Sequence, residues 1–128
     1  LLDSVASADG DQITCLAWSH QALDNPLRGP DGLGIAAGIE YAAQAMATHG
    51  AVLQPQAPGR SGYLTSVREV RWQVRHLHEL KGPLRVRAER LSAAENHVLY
   101  AFSLHHGDDL LMQGRASVIL NADALAST

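Results

Sequence analysis

Four segments in the second half of the chain alternate apolar and polar residues with a period of two. The clearest case is Leu84, Val86 and Ala88, which are separated by charged residues. This pattern predicts strands with one face on a core and the other in solvent. The predicted strands span residues 63–77, 84–89, 97–106 and 110–120. In the first of them the phase shifts near Val67 and Arg68, which predicts a bulge or bend.

Residues 34–49 follow a different pattern, which predicts a helix. Ala, Ile, Met and Gln dominate this segment, and no proline interrupts it. Apolar or small residues run around most of its circumference, so we expect the helix to be buried on nearly all sides. Glu40 is the one charge in these surroundings. A buried carboxylate is costly unless it is paired, hydrogen-bonded or protonated, so Glu40 is a candidate functional residue.

The remaining segments complete an α+β pattern. Residues 1–6 and 12–18 predict two strands around a turn at residues 7–11, and loops rich in Pro and Gly cover residues 19–33 and 54–62. An antiparallel sheet with one apolar face can bury a single helix. We therefore expect residues 1–128 to form one domain, an antiparallel sheet wrapped around one long central helix.

Composition excludes several functional classes. The chain is 46% hydrophobic with a net charge of −3, so neither nucleic acid nor a membrane surface is an expected partner. Cys15 is the only cysteine, which rules out an internal disulfide. No apolar run reaches the ~20 residues that span a bilayer, and no basic-then-apolar leader is present, so a cytoplasmic protein is expected. The histidines at 76, 78, 105 and 106 lack Cys or carboxylate partners at ligand spacing, and we predict no metal and no cofactor.

Several short segments carry a resemblance to a known family. They are Leu1–Val5, Gly38–Ala45, Gly62–Leu64 with Arg68, Lys81–Leu84 and Gly114–Val118. In order and spacing they resemble the hotdog-fold 3-hydroxyacyl-(acyl carrier protein) dehydratases, most closely a divergent branch associated with aryl-polyene and related pigment biosynthesis. The resemblance implies a hotdog fold and elimination of water from a carrier-bound 3-hydroxyacyl thioester. It also implies an acyl carrier protein or CoA thioester as the substrate carrier.

The resemblance assigns roles to particular residues. Glu40 falls on the helix position whose acid helps the 3-hydroxyl group to leave, and such a carboxyl group can be kept protonated by apolar surroundings. Gly34 and Ile35 fall near the backbone N–H donors that would polarise the thioester carbonyl. Together with Gly62 and Tyr63 they are the predicted substrate-binding residues.

One position departs from the family pattern. The family's general base is a His in the loop before the helix, and Asn25 stands about where it is expected. An amide is not a useful base, so Asn25 is either a hydrogen-bond donor at the site or a turn residue before proline. His20 is the nearby alternative base. Two other functions therefore stay open, a non-catalytic acyl-binding subunit of a heteromeric dehydratase and an acyl thioesterase.

Arginines occupy the polar positions of the predicted strands, and they allow two interpretations. They are Arg71, Arg75, Arg85, Arg87 and Arg115. They form either a solvated sheet face interleaved with glutamates or a docking surface for acyl carrier protein, which is acidic. A hotdog sheet also has edge strands to protect. We therefore expect a homodimer or higher oligomer, with a second hotdog subunit as a possible partner.

Overall fold

The computed structural model describes residues 2–53, 62–94 and 96–120, without the side chains at 62, 63 and 120. Six antiparallel strands form one sheet in the order β1-β2-β4-β5-β6-β3, so β1 and β3 are its edges. The strands are β1 (Ser4–Ala8), β2 (Gln12–Ala17), β3 (Gly62–Trp72), β4 (Leu84–Ala93), β5 (His97–His106) and β6 (Asp109–Leu120). A 3₁₀ turn (Ser19–Gln21) and the helix α1 (Ala37–Leu53) lie between β2 and β3.

The inner face of the sheet is the one that the sequence periodicity predicts. Leu84, Val86 and Ala88 of β4 are fully buried. They lie beside the buried apolar residues of β2 and β5, to which β4 is paired. The predicted apolar face of β5 is confirmed in full, with Val98, Tyr100, Phe102 and Leu104 all buried. The predicted tail at residues 121–128 and most of the loop at 54–62 lie outside the described residues.

The first long strand is shorter than predicted. β3 ends at Trp72, whereas alternation in the sequence extended it to residue 77. Its pairing with β6 slips between Leu64 and Ser66 and again between Arg68 and Arg71. Glu69, inside the second irregularity, has a left-handed φ of 55°. The bulge is therefore present near the predicted position, and it redirects the chain after Trp72.

Helix α1 is buried on one side only. Tyr41, Ala42 and Ala45 face the sheet and are fully buried, whereas Glu40 and Ala47 are exposed. The prediction that α1 is buried on nearly all sides is therefore wrong for the single chain, because one sheet can cover only one face of a helix. None of the described helices is long and apolar enough to cross a membrane.

The beginning of α1 approaches the sheet closely at a glycine. A Cβ added to Gly38 would lie 3.0 Å from Leu104 Cδ2 and 3.1 Å from Met112 Sδ. The absence of a side chain at this position lets the first turn of α1 settle between β5 and β6. The helix N-terminus is thereby placed over Leu104 and Met112, which are paired across those two strands.

A buried polar contact fixes the other half of α1. His49 is fully buried, and its Nε2 lies 2.8 Å from the Asp9 carbonyl oxygen. Since a carbonyl can only accept, Nε2 carries the proton and donates it. Nδ1 then accepts from the Tyr100 hydroxyl group at 2.8 Å. The imidazole thus joins α1 to the β1–β2 turn and to β5.

Removing the Tyr100 hydroxyl group would leave the buried Nδ1 of His49 without a donor. We expect Tyr100→Phe to lower the free energy of unfolding by about 1–3 kcal/mol, measured by urea denaturation. Ser92→Ala, which removes an exposed hydroxyl group from β4, is the control and should change it little. Equal stabilities of the Tyr100→Phe variant and the wild type would contradict this account of the contact.

Candidate functional site

Asn25 anchors the loop before α1 to the helix. It is 6% exposed, and its Nδ2 donates to the Ser19 carbonyl oxygen at 2.9 Å and to the Tyr41 hydroxyl oxygen at 3.2 Å. Its Oδ1 accepts from the Leu27 N–H at 2.9 Å, an Asx turn across Pro26. Tyr41 is the residue next to Glu40, so Asn25 fixes the loop against the first turns of α1.

These contacts bear on the role of Asn25. Both N–H groups of its amide are already donated within the chain. A bond from Asn25 to a thioester carbonyl would have to replace one of them. The geometry therefore favours the structural interpretation of Asn25, a residue that orders the loop, over that of a substrate donor.

A second anchor holds the end of the same loop. The Leu33 N–H donates to His78 Nδ1 at 3.0 Å, and the Leu77 N–H donates to the Leu33 carbonyl oxygen at 2.8 Å. The His78 ring lies directly against Gly32, whose φ is +95°. Any side chain at Gly32 would collide with that ring, so only glycine allows this packing.

Some backbone N–H groups at the start of α1 are engaged within the chain and others are not. The Ile35 N–H donates to the Arg75 carbonyl oxygen at 2.8 Å, and the Ala37 and Gly38 N–H groups close turns onto Gly34 and Ile35. Ile35 is therefore already engaged. Within the described part of the chain, the turn and loop hydrogen bonds leave the N–H groups of Gly34, a predicted donor, and of Ala36 without an acceptor, and Ala36 directly precedes the helix. Ala36, which the sequence analysis did not single out, is thus the better-placed backbone donor at the helix N-terminus.

Glu40 lies one helical turn after Ala36, on the same face of α1. Its side chain is exposed, and none of the ion pairs among the described residues includes it. The prediction that Glu40 is buried is therefore wrong for the single chain. The physical reason is that Glu40 lies on the helix face that the sheet does not cover. Ala36 and Glu40 are both exposed on the part of α1 that the sheet leaves uncovered.

His20, the alternative base, is fully buried. Its Nε2 donates to the Leu80 carbonyl oxygen at 2.8 Å, and its Nδ1 has no partner among the described residues. Burial lowers the pKa of His20 below its usual value, while the bond to Leu80 acts in the opposite direction. His20 is therefore a neutral imidazole that ties the 3₁₀ turn to the loop before β4.

The other predicted substrate residues do not join this site within one chain. Gly62 and Tyr63 begin β3, where they pair with Leu120 and Ile119. The start of α1 lies instead at the Trp72 end, which the register places eight residues of β6 away, or roughly 26 Å at 3.3 Å per residue. The Tyr63 side chain lies outside the described part of the structure.

The histidines considered as metal ligands lie in separate contacts. The His76 and His78 rings meet edge to face with centroids 5.3 Å apart, and His105 Nε2 is 3.0 Å from the Ser103 hydroxyl oxygen. In the ranges 2–53, 62–94 and 96–120, no group of three His, Cys, Asp or Glu residues is placed to hold a metal ion.

Comparison with known proteins identifies the family. A family model described as ApeP-like, ApeP dehydratase, matches residues 1–127. The chain belongs to the ApeP-like dehydratase family. No curated protein sequence matches it significantly.

Solved structures agree with this ApeP-like assignment in fold. A chain of the dehydratase heterocomplex ApeI:P from Xenorhabdus doucetiae is similar with a TM-score of 0.82 at 20% identity, over 94% of this chain and 82% of that one. A thioesterase variant from Staphylococcus aureus matches with a TM-score of 0.70 at 12% identity, over 92% of both chains. A thioesterase from Haemophilus influenzae matches with a TM-score of 0.67 at 13% identity, over 91% and 76%. These likenesses confirm the predicted hotdog fold.

The loop anchor of this ApeP-like chain can be tested through stability. We expect Asn25→Ala to lower the free energy of unfolding by about 1–3 kcal/mol, because buried partners of the amide lose their bonds. Urea denaturation measures this, with the exposed neighbour Asp24→Ala as the control. If Asn25 served only to contact substrate, the variant would be as stable as the wild type.

The buried imidazole of His20 predicts a pH dependence. Because the folded-state pKa lies below the unfolded value of about 6.5, the unfolded chain binds the proton first as pH falls. Stability contributed by neutral His20 is therefore complete above about pH 6.5 and declines below it. His20→Gln, which can still donate to the Leu80 carbonyl, should flatten the stability curve between about pH 6.5 and pH 5. Parallel curves for the variant and the wild type would contradict this.

Proposed function

We propose that this chain is one subunit of a dehydratase that removes water from a 3-hydroxyacyl thioester carried on acyl carrier protein. A second hotdog subunit supplies the base. Membership of the ApeP-like dehydratase family supports the reaction class. The observation that carries the assignment of subunit roles is the engagement of Asn25, whose amide is not basic and whose N–H groups are already donated.

The chemistry divides between the two subunits. The base removes a proton from C2, the electron pair forms the C2–C3 double bond, and the C3–O bond breaks. Glu40 gives its proton to the departing hydroxyl group, which leaves as water. The Ala36 N–H, at the positive end of α1, hydrogen-bonds the thioester oxygen as negative charge develops on it.

The exposure of Glu40 supports the need for a second subunit. A carboxyl group that donates a proton needs surroundings that keep it protonated, and in the single chain Glu40 faces solvent. The exposed helix face around it is formed largely by small residues, Ala36, Ala47 and Ala51. A partner that covers this face would place both an acyl chain and Glu40 in apolar surroundings. The solved neighbour from Xenorhabdus doucetiae is itself a dehydratase heterocomplex.

Thioester hydrolysis is the competing function. Some hotdog neighbours are thioesterases, but at 12–13% identity they share only the fold. The two reactions give different products, since elimination creates an enoyl chromophore and leaves the thioester intact, whereas hydrolysis releases a free thiol. A 3-hydroxyacyl thioester assay that follows both absorbance and thiol release separates them.

The decisive experiment measures enoyl formation in two samples. One contains this chain alone, and the other contains this chain together with a hotdog subunit that has the base histidine. We expect enoyl formation only in the mixture. Glu40→Gln in that mixture should lower kcat by about 10²-fold or more, the usual contribution of a general acid. Asp108→Asn, on the exposed β5–β6 turn, is the matched control and should retain full activity.

Two outcomes would overturn the proposal. Turnover by the chain alone would show that it needs no second subunit for its base. Free thiol without enoyl product would replace elimination by hydrolysis. Circular dichroism and complex formation by the Glu40→Gln variant establish that a loss of kcat is not a loss of folding or assembly.

A further inference from the structure

The outer face of the sheet, opposite α1, carries an uneven charge. In the register of the strands its charged residues form three neighbouring rows across the sheet. We call these residues the outer arginine face: Arg68, Glu69, Arg71, Arg85, Arg87, Glu89 and Arg115. It holds five of the ten Lys and Arg residues of the chain but only two of its thirteen Asp and Glu residues. A chain with a net charge of −3 thus concentrates positive charge on one surface.

Ion pairs neutralise only part of this face. Arg87 lies 3.3 Å from Glu89, and Arg115 lies 3.4 Å from Glu69. Among the described residues Arg68, Arg71 and Arg85 form no ion pair. These three guanidinium groups are exposed and available to a partner.

Two arginines of this face lie opposite each other, an arrangement that lowers the stability of the sheet. Arg68 and Arg115 are directly opposite in the β3–β6 register, and like charges in that position destabilise a sheet. Both line an open groove of about 510 Å³ together with Glu69, Ser66, His97 and Ser117. Glu69 offsets part of the repulsion through its contact with Arg115, and an anionic group seated beside Arg68 would offset more of it.

The arginines of β4 help to lower the pKa of a neighbouring histidine. His105 pairs with Arg85 in the register, and its pKa is lowered, first by burial and then by the charges of Arg85 and Arg87. The guanidinium groups of β4 therefore act on a residue of the adjacent strand. This agrees with a face whose glutamates do not cancel its arginines.

One end of the face leads to the candidate site. Arg71 pairs with Gln113, the residue next to Met112, against which the first turn of α1 packs. Arg75, farther along the chain after β3, gives its carbonyl oxygen to the Ile35 N–H at the helix N-terminus. Gln113 and Met112 point to opposite faces of the sheet, so a group on the outer face would reach Ala36 and Glu40 by passing around the β3 edge.

From this charge distribution we propose that the outer arginine face is the docking surface for an acidic protein, the acyl carrier protein of the proposed reaction. The inference rests on the proposed function for the identity of that protein. Charge complementarity steers the carrier to the sheet, and the β3 edge directs its acyl arm toward the N-terminus of α1. Salt weakens this docking, because the arginines are exposed to solvent.

The test uses the active two-subunit complex and two substrates with the same acyl group, one on the carrier protein and one on a small pantetheine thioester. The triple variant Arg68→Gln, Arg71→Gln, Arg85→Gln should lower kcat/KM for the carrier-bound substrate about tenfold or more, through loss of steering. It should leave turnover of the small thioester unchanged. Direct titration of the carrier protein should show the same loss of affinity.

Single substitutions provide matched controls. Arg71→Gln should weaken carrier binding, whereas Lys81→Gln, which removes an exposed positive charge outside the face, should not. Glu89→Gln removes a negative charge from the face and releases Arg87, so it should tighten binding.

The outcomes separate docking from catalysis. If neither substrate turns over, the proposed function fails, and the carrier titration still tests the surface. The docking proposal is overturned if the triple variant binds the carrier as tightly as the wild type, or if binding ignores ionic strength. It is equally overturned if an oligonucleotide of matched charge competes as well as the carrier, since the face would then be a general polyanion surface.

Discussion

The packing of one face of α1 against the inner face of the sheet determines where every candidate functional group lies. Gly38 lets the helix begin directly over Leu104 and Met112, and His49 fixes its second half through Tyr100 and the Asp9 carbonyl. With these contacts made, Tyr41, Ala42 and Ala45 must point into the core. The Ala36 N–H and Glu40 must then lie on the opposite face, where a second protein surface can meet them.

The loop before α1 depends on the same packing. Asn25 bonds to Tyr41, a residue of the buried helix face, and the Leu33 N–H bonds to His78 in the segment that follows β3. A position at which the family resemblance places a catalytic base is therefore used to hold the loop. Among the described residues, Ala36 and Glu40 are exposed, whereas Asn25, at the expected position of the base, is bonded within the chain. This division of groups is why the proposed dehydratase requires two subunits.

The sequence predicted the strands β4, β5 and β6, because a period of two distinguishes a sheet with one buried face. It also predicted the bulge in β3 and the family, since short segments such as Gly38–Ala45 keep their order and spacing. It did not predict the engagement of the Ile35 N–H by Arg75 or the roles of Tyr41 and His49. Those contacts join residues 16 to 51 positions apart, and no local pattern marks such pairs.

Glu40 is the clearest example of what the sequence determined and what only the tertiary structure decided. The sequence by itself determined that residue 40 is the one acidic residue on an otherwise apolar helix, within a hotdog fold. The tertiary structure decided which side of that helix the carboxyl group occupies. A helix that is apolar around its circumference can be buried on all sides, but each side is buried only where another part of a protein packs against it. The single chain supplies one surface, and Glu40 is on the other side.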